Sequence, residues 1–531
     1  MMREDVRCAR RWGAAALTSV LLGAAMVWSG PSAAAESPNK GAAPAQKAAD
    51  AMPDLIARAA KRWKVDLNDV VIAVMPLDQV RADERGRTNA AKVPLTLGWN
   101  ALRADRPAST AKLVTTLVGL ESLGANFHWR TGFYWAGEPD AQGRLKTPLY
   151  IRGGGDPTMV IEDFAMQVDK IAQMGVRHLD ADIVIDRSYF DIAPFNPAAF
   201  DGRSSRPYNL GPDAALMNYR NLSLELIPNK DGQTARVVAV PHMAGFTPPA
   251  SVKLTKGGCG DWKTKLGFKI VEKPDGTKAG VFTGGLARAC GPKNFNVIAF
   301  EPNEYFERVF RYLWERDGRT WRGRVKDGRI PSEAERKFVR LSPQLSEVVA
   351  LVNKWSNNTM ARHVFLTLGQ AKLEQEAKKA SRKAEPSQWQ SFPRGTTLAD
   401  GRQVVADWLA ARGLDPKKIH IDNGSGLSRE TRVTGRAMAE VLAAGWVGPY
   451  GAEYAASLPI TGEDGTMLRR KIAVSHGRIK TGFLTDVRSV GGYVQAKSGK
   501  RYAVYASVHG KKNMPGATAF LDNVILWTHQ R

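Results

Sequence analysis

Cysteine is scarce: three in 531 residues, Cys8, Cys259 and Cys290. That excludes a small scaffold held together by many disulfides. Long apolar runs are scarcer still. One alanine-rich run, Trp12 to Trp28, follows Arg3, Arg7, Arg10 and Arg11 and precedes Ala33-Ala34-Ala35, a small-residue cleavage pattern. It reads as an export signal over residues 1–35, and no later run is long enough to span a bilayer. Acidic residues are also in deficit, 52 against 76 Lys and Arg, for a formal charge of +24. Export and the lack of any RNA- or DNA-binding motif exclude nucleic acid as the partner. The charge suits anionic wall polymer or an envelope surface instead. The eight histidines include no pair at helical zinc-ligand spacing, so neither a metal nor a cofactor is expected.

What remains is a long chain with a soluble composition, 43% hydrophobic and 24% charged, enough for two or three domains. Residues 36–52 are rich in Ala, Pro and Lys and read as a linker. With Cys8 in the signal, Cys259 and Cys290 are left 31 positions apart (290 − 259). After export they form a plausible disulfide, and closing such a loop adds about 3–4 kcal/mol; two free buried thiols are the alternative.

The chain is organised around Arg106-Pro107-Ala108-Ser109-Thr110-Ala111-Lys112. Leu113, Leu117 and Leu120, with Val114 and Val118 beside them, give the following segment helical spacing. Lys112 then lies one turn beyond Ser109 on the same face. A serine hydroxyl needs a base to take its proton, and a lysine amine serves only if burial or a second cation disfavours its charged form. Lowering it from about 10.4 to about 7 requires roughly 4–5 kcal/mol. Two further motifs follow in order: Ser356-Asn357-Asn358 before a helical stretch (Met360, Val364, Leu368), and Lys480-Thr481-Gly482 before a strand-rich C-terminus. Ser-x-x-Lys, Ser-x-Asn and Lys-Thr-Gly each occur by chance, but the ordered set is specific.

Around these motifs the texture alternates. A short helix (Leu55, Ile56, Ala59) precedes a buried strand at Val70–Met75 with a hairpin partner at Leu95–Trp99. From about Trp135 to Glu301 short strands dominate: Leu149–Arg152, Ile183–Ile185, Leu222–Ile227, Ala235–Val240, Val252–Leu254 and Val297–Phe300. Gly153-Gly154-Gly155-Asp156-Pro157 lacks phosphate-loop spacing and reads as a turn. Helices resume at Tyr305–Trp314, Leu341–Trp355 and Arg402–Ala411; a hairpin (Val490–Ala496, Tyr502–Val508) and a final helix (Leu521, Val524, Ile525, Thr528) close the chain. The expected architecture is α+β, with catalytic segments 53–135 and 302–531 interrupted by inserted β-rich domains at 136–301.

The motifs, together with Gly153-Gly154-Gly155-Asp156-Pro157-Thr158, Asp186-Arg187-Ser188, Arg206-Pro207-Tyr208-Asn209, Gly424-Ser425-Gly426-Leu427-Ser428-Arg429 and Asp464-Gly465-Thr466, give a sequence that resembles the class C low-molecular-mass penicillin-binding proteins. These are D-alanyl-D-alanine carboxypeptidases/endopeptidases of the penicillin-binding protein 4 type. The 247 positions between Ser109 and Ser356 (356 − 109) fit that group's inserted domains. The resemblance implies a penicillin-binding/β-lactamase-like transpeptidase fold, an antiparallel sheet flanked by helices, in the periplasm. Its implied substrates are peptidoglycan stem peptides, with β-lactams as covalent inhibitors. It also implies roles: Ser109 as nucleophile, Lys112 as base, Ser356 as proton relay to the leaving amine, and Asn358 holding the acyl-side amide. Lys480 and Thr481 of Lys480-Thr481-Gly482 would take the terminal carboxylate, and the N–H groups of Ser109 and Phe483 the oxyanion. Asn357, Arg362 and Phe483 depart from the group's usual Asp, acidic and small hydroxyl residues. A β-lactamase would need a deacylating base, and no Glu-x-x-Leu-Asn lies between Ser356 and Lys480. A non-catalytic β-lactam sensor or wall-binding protein would have no need of Lys112.

Overall fold

The computed structural model describes residues 52–380 and 394–531, apart from 471, 473, 475, 476, 512 and 513. The expected signal and all but the last residue of the linker, Cys8 and His476 lie outside these residues. The sequence strand Val70–Pro76 is apolar on both faces, and all seven of its residues are buried. Such a strand must be covered on both sides. It runs second in an antiparallel five-stranded sheet, ordered Leu97–Trp99, Val70–Pro76, Arg501–His509, Val487–Gln495, Arg478–Leu484. The period of two divides its side chains between two cores. Val70, Ile72 and Val74 pack under the helices Asp54–Trp63 and Ala517–His529, through Ile56, Phe520 and Val524. Val71, Ala73 and Met75 face the helix Lys112–Leu123 and the helices Leu345–Trp355, Asn358–Ala380, Leu398–Ala411 and Gly435–Val447. The α+β architecture, an antiparallel sheet between helical layers, is the one expected.

The Lys112–Leu123 helix differs from the amphipathic stripe the sequence suggests: every residue from Lys112 to Leu120 is buried. It is the centre of the helical layer, and truncating Leu117 there would cost about 2–5 kcal/mol.

A third core holds the inserted region. One sheet is ordered Val325–Asp327, Ile183–Asp186, Leu149–Arg152, Arg130–Trp135, Glu335–Leu341; a second is ordered Leu286–Ala287, Ser251–Thr255, Thr234–Val240, Asn221–Pro228, Lys293–Ile298. The helices Ile161–Gln173 and Pro302–Glu315 bury Phe164, Ile171, Phe306 and Phe310 in the same core. Phe133 and Trp135, expected with the catalytic segment, lie in this core, as do Phe310 and Phe338 from beyond residue 301. Arg130–Trp135 pairs with Glu335–Leu341, so this core draws on residues from both sides of the expected 136–301 interval. Leu341, placed in a helix from the sequence, ends that strand, and the helix starts at Leu345. Cys259 and Cys290 are joined, with sulfurs 2.08 Å apart. Among the described residues no helix is long and apolar enough to cross a membrane.

Candidate active site

Ser109 sits on a 3-10 turn, Ala108–Ala111, that runs straight into the Lys112–Leu123 helix. Ala108 carries the strain, with φ +50°. The turn is held to the sheet through the Pro107 carbonyl, which accepts from Thr110 Oγ1 (2.6 Å) and from Ser489 Oγ (2.6 Å) on the neighbouring strand. Two glycines allow the close approach. Gly426 has no room for a Cβ against the Ala108 carbonyl, and Gly482 has none against Ser489 Oγ.

Lys112 Nζ is 3.0 Å from Ser109 Oγ and 2.7 Å from Asn358 Oδ1, and it also donates to the Ser425 carbonyl. Its side chain is fully buried. Burial, then the charges of Lys480 and Arg362, hold its pKa well below the usual lysine value. A neutral amine has two N–H donors and one lone pair. Asn358 Oδ1 and Ser425 O are both acceptors only, so they take the two hydrogens and leave the lone pair for the Ser109 hydroxyl. The Asn358 amide is oriented by its other end, because Nδ2 donates to Tyr208 O at 2.9 Å. Ser425 is held in turn: its N–H and Oγ both donate to Asn423 Oδ1, at 3.1 and 2.8 Å. Thr115 Oγ1 donates to Gly424 O at 2.7 Å.

The second motif links two helices. Ser356 caps the Leu345–Trp355 helix in the left-handed region (φ 60°), and Asn358 starts the next. Ser356 Oγ accepts from Lys480 Nζ at 2.9 Å, and Lys480 also donates to Thr481 O at 2.8 Å. Burial lowers the Lys480 pKa to about 7. Lys480 lies on the edge strand Arg478–Leu484, in register with Gly491. Thr481 Oγ1 donates or accepts at 2.9 Å with Thr466, in a turn where Asp464 pairs with Lys354. Phe483 is on the same strand face as Thr481, 67% exposed, with the Arg488 guanidinium 3.5 Å from its ring centre. Beside Ser356 and Asn358 opens a cleft of about 580 Å³, walled by Trp355 on one side and by Tyr208, Arg203 and Lys263 of the insertion on the other.

Ser109, Lys112, Ser356, Asn358 and Lys480 therefore converge from three separate stretches of the chain, with Thr481 and Gly482 beside them. Sequence reasoning assigned no part to Ser425, Tyr208 or Thr466. For the first two the working group is a backbone carbonyl, which has no residue-type signature; only their place in short motifs singled them out.

A family model described as the D-Ala-D-Ala carboxypeptidase 3 (S13) family matches residues 98–524. The D-alanyl-D-alanine carboxypeptidase of Actinomadura sp. (strain R39) is 26% identical over 435 residues, covering 79% of this chain and 76% of that one. The D-alanyl-D-alanine carboxypeptidase DacB of Haemophilus influenzae is 22% identical over 418 residues, covering 76% of this chain and 80% of that one. The fold is similar to the crystal structure of penicillin binding protein 4 (dacB) from Haemophilus influenzae. That superposition has a TM-score of 0.68 at 18% identity and covers 90% of this chain and 100% of the other. The family match spans the nucleophile turn, both later motifs and the insertion between them, and the chain belongs to the D-Ala-D-Ala carboxypeptidase 3 (S13) family.

Proposed function

We propose that Ser109 attacks the carbonyl of the terminal D-Ala–D-Ala bond of a peptidoglycan stem peptide, and that this serine-type carboxypeptidase works through the resulting acyl-enzyme. The observation that carries the reading is the Lys112 amine, buried, 3.0 Å from Ser109 Oγ, with only acceptors on its other side. Lys112 takes the serine proton as the C–O bond forms. The oxyanion rests on the N–H groups of Ser109 and Phe483, donors already in place for the charge that develops there. Ser356, bridged to Lys480, relays the proton that Lys112 took to the departing D-Ala amine as the C–N bond breaks, which returns Lys112 to the neutral amine. Lys480 and Thr481 hold the terminal carboxylate, and Asn358 the acyl-side amide. Water then releases the acyl group with Lys112 again as base.

Penicillins enter the same path, because their strained amide mimics the scissile bond and its leaving group stays tethered. Endopeptidase cleavage of the D-Ala–diaminopimelate cross-link belongs to the same reading: both bonds present a D-centre carboxylate to Lys480 and Thr481, and only the leaving amine differs. The export-signal pattern and the net positive charge support a periplasmic site of action on the wall. Two measurements test the reading. Fluorescent penicillin should label the protein and fail to label Ser109→Ala; a labelled Ser109→Ala would move the nucleophile elsewhere. Incubation with pentapeptide monomer and cross-linked dimer, with products identified by mass, should give D-Ala from the first and monomer from the second.

A further inference from the structure

One helical turn beyond Asn358, Arg362 is only 4% exposed. Its Nη1 donates to Leu210 O at 2.8 Å, and its guanidinium lies 4.8 Å from the ring centre of Phe195. Its Nε is buried without a hydrogen-bond partner. No carboxylate pairs with it among the described residues. Asp422, the acid whose charge reaches it, is engaged elsewhere, 3.5 Å from Arg402 and accepting from Asn423 at 3.1 Å. A buried guanidinium with no directly paired carboxylate is costly, and among the described residues Arg362 has none. Instead Arg362 lines a cavity of about 620 Å³, separate from the cleft beside Ser356. That cavity is walled by Ile192, Pro194, Phe195 and Leu398, with Arg402 as a second cation and the carboxylates Asp191 and Asp422 also on its lining; Asp422 is 3.5 Å from Arg402, which leaves the Arg362 donor facing the apolar side chains.

We propose that this cavity is a second ligand site, which takes a small carboxylate with an apolar body. A volume in this range suits a small molecule, and apolar walls with a few convergent polar groups are the usual form of such a site. The planar guanidinium matches a carboxylate and supplies the unused donor; the apolar side chains receive the hydrocarbon. The site stands independently of the reaction assigned to Ser109. It is nevertheless coupled to it, because Arg362 is one of the two cations acting on Lys112. A bound carboxylate cancels that charge, favours the protonated amine and slows acylation a few-fold at neutral pH.

The test is calorimetric titration of the whole protein with hydrocinnamate, acetate and the uncharged hydrocinnamamide, before and after acylation by penicillin. Hydrocinnamate should bind saturably with one-to-one stoichiometry in both states, at least tenfold tighter than acetate or the amide. Arg362→Gln and Phe195→Ala should each weaken it by tenfold or more, with melting transitions recorded for both; Phe195 is a partly exposed loop residue, so that variant survives even if the helix variant does not fold. Hydrocinnamate should also slow penicillin acylation of the wild type and leave that of Arg362→Gln unchanged. Loss of binding on acylation would place the ligand in the Ser109 cleft and overturn the proposal. So would equal affinity for acid and amide, undiminished binding to the variants, or no binding at all.

Discussion

Replacing Asn358 with Asp tests the proton inventory of Lys112 directly. The exchange is nearly isosteric, and it puts a carboxylate oxygen where Oδ1 now stands, 2.7 Å from Nζ. At an effective dielectric of about 20, unit charges at that distance attract by about 6 kcal/mol. Desolvation of the new carboxylate opposes this by several kcal/mol, and Tyr208 O loses the donor it has at 2.9 Å. Taking about half as the net effect, the Lys112 pKa rises by about 2 units. The base is needed neutral, so the acidic limb of the acylation profile moves about 2 units alkaline, and at any pH on the wild-type acidic limb acylation falls about a hundredfold from protonation alone. Losing the amide contact to substrate also lowers the rate, but by a factor that does not vary with pH, so the displaced limb is the diagnostic. The assay is stopped-flow acylation by a chromogenic β-lactam from pH 5 to 10. A slower variant whose limb stays in place would refute lysine-base catalysis as argued here.

Three further outcomes are expected. Lys480→Ala removes the cation that ranks second, after burial, among the causes of the low Lys112 pKa; its acidic limb should therefore also move alkaline, together with a rise in KM for carboxylate-bearing substrates, both read from pH-dependent kinetics. Phe483→Thr removes an exposed ring beside Thr481 and should change the ratio of D-Ala to monomer released from a dimer and pentapeptide mixture, measured by mass; an unchanged ratio would show that Phe483 does not set specificity. Stability should fall as pH drops from about 6.5 through about 4, because His363 is fully buried and its pKa is lowered from 6.5 to about 4. The sign follows from proton counting: over that window the unfolded chain binds a proton that the folded one refuses, and protonation would displace Nε2 from the Asp213 N–H it accepts at 3.2 Å. Thermal melts of wild type and His363→Gln across this window should show a steeper pH dependence for the wild type.

The sequence made the side chains proposed for catalysis legible because a nucleophile, base and relay need particular residue types at particular spacings. The packing around them was less so. The Ile161–Gln173 helix escaped because a glycine- and proline-rich run leads into it, although Phe164, Val168, Ile171 and Ala172 bury one face at helical spacing. Strands Leu266–Glu272 and Lys278–Gly284 escaped for another reason: they pair with each other on a small three-stranded sheet and bury little, so no apolar alternation is required of them. Glu335–Leu341 carries four charged residues and still completes a sheet edge. There Arg340 reaches inward to Asp156, and Lys337 covers the Trp135 ring. Composition alone cannot distinguish such a strand from a solvated helix start.

The long interval between the first two motifs also acquires a physical role. The segment Tyr208–Leu210 returns from the insertion to the start of the second-motif helix. There Tyr208 O accepts from Asn358, and Leu210 O accepts from both Thr359 Oγ1 (3.1 Å) and Arg362 Nη1 (2.8 Å). An asparagine amide has no orientation of its own; it is set by whichever neighbours can only accept or only donate. With the Tyr208 carbonyl against Nδ2, the Asn358 oxygen must face Lys112, and with that oxygen in place the lysine lone pair must face Ser109. The state of the base at the centre of one core is thus fixed by a backbone carbonyl of the exposed Tyr208, 150 positions before Asn358 in the chain. A change that displaced the Tyr208 loop while leaving every motif residue intact would be expected to impair acylation as surely as a change in Asn358 itself.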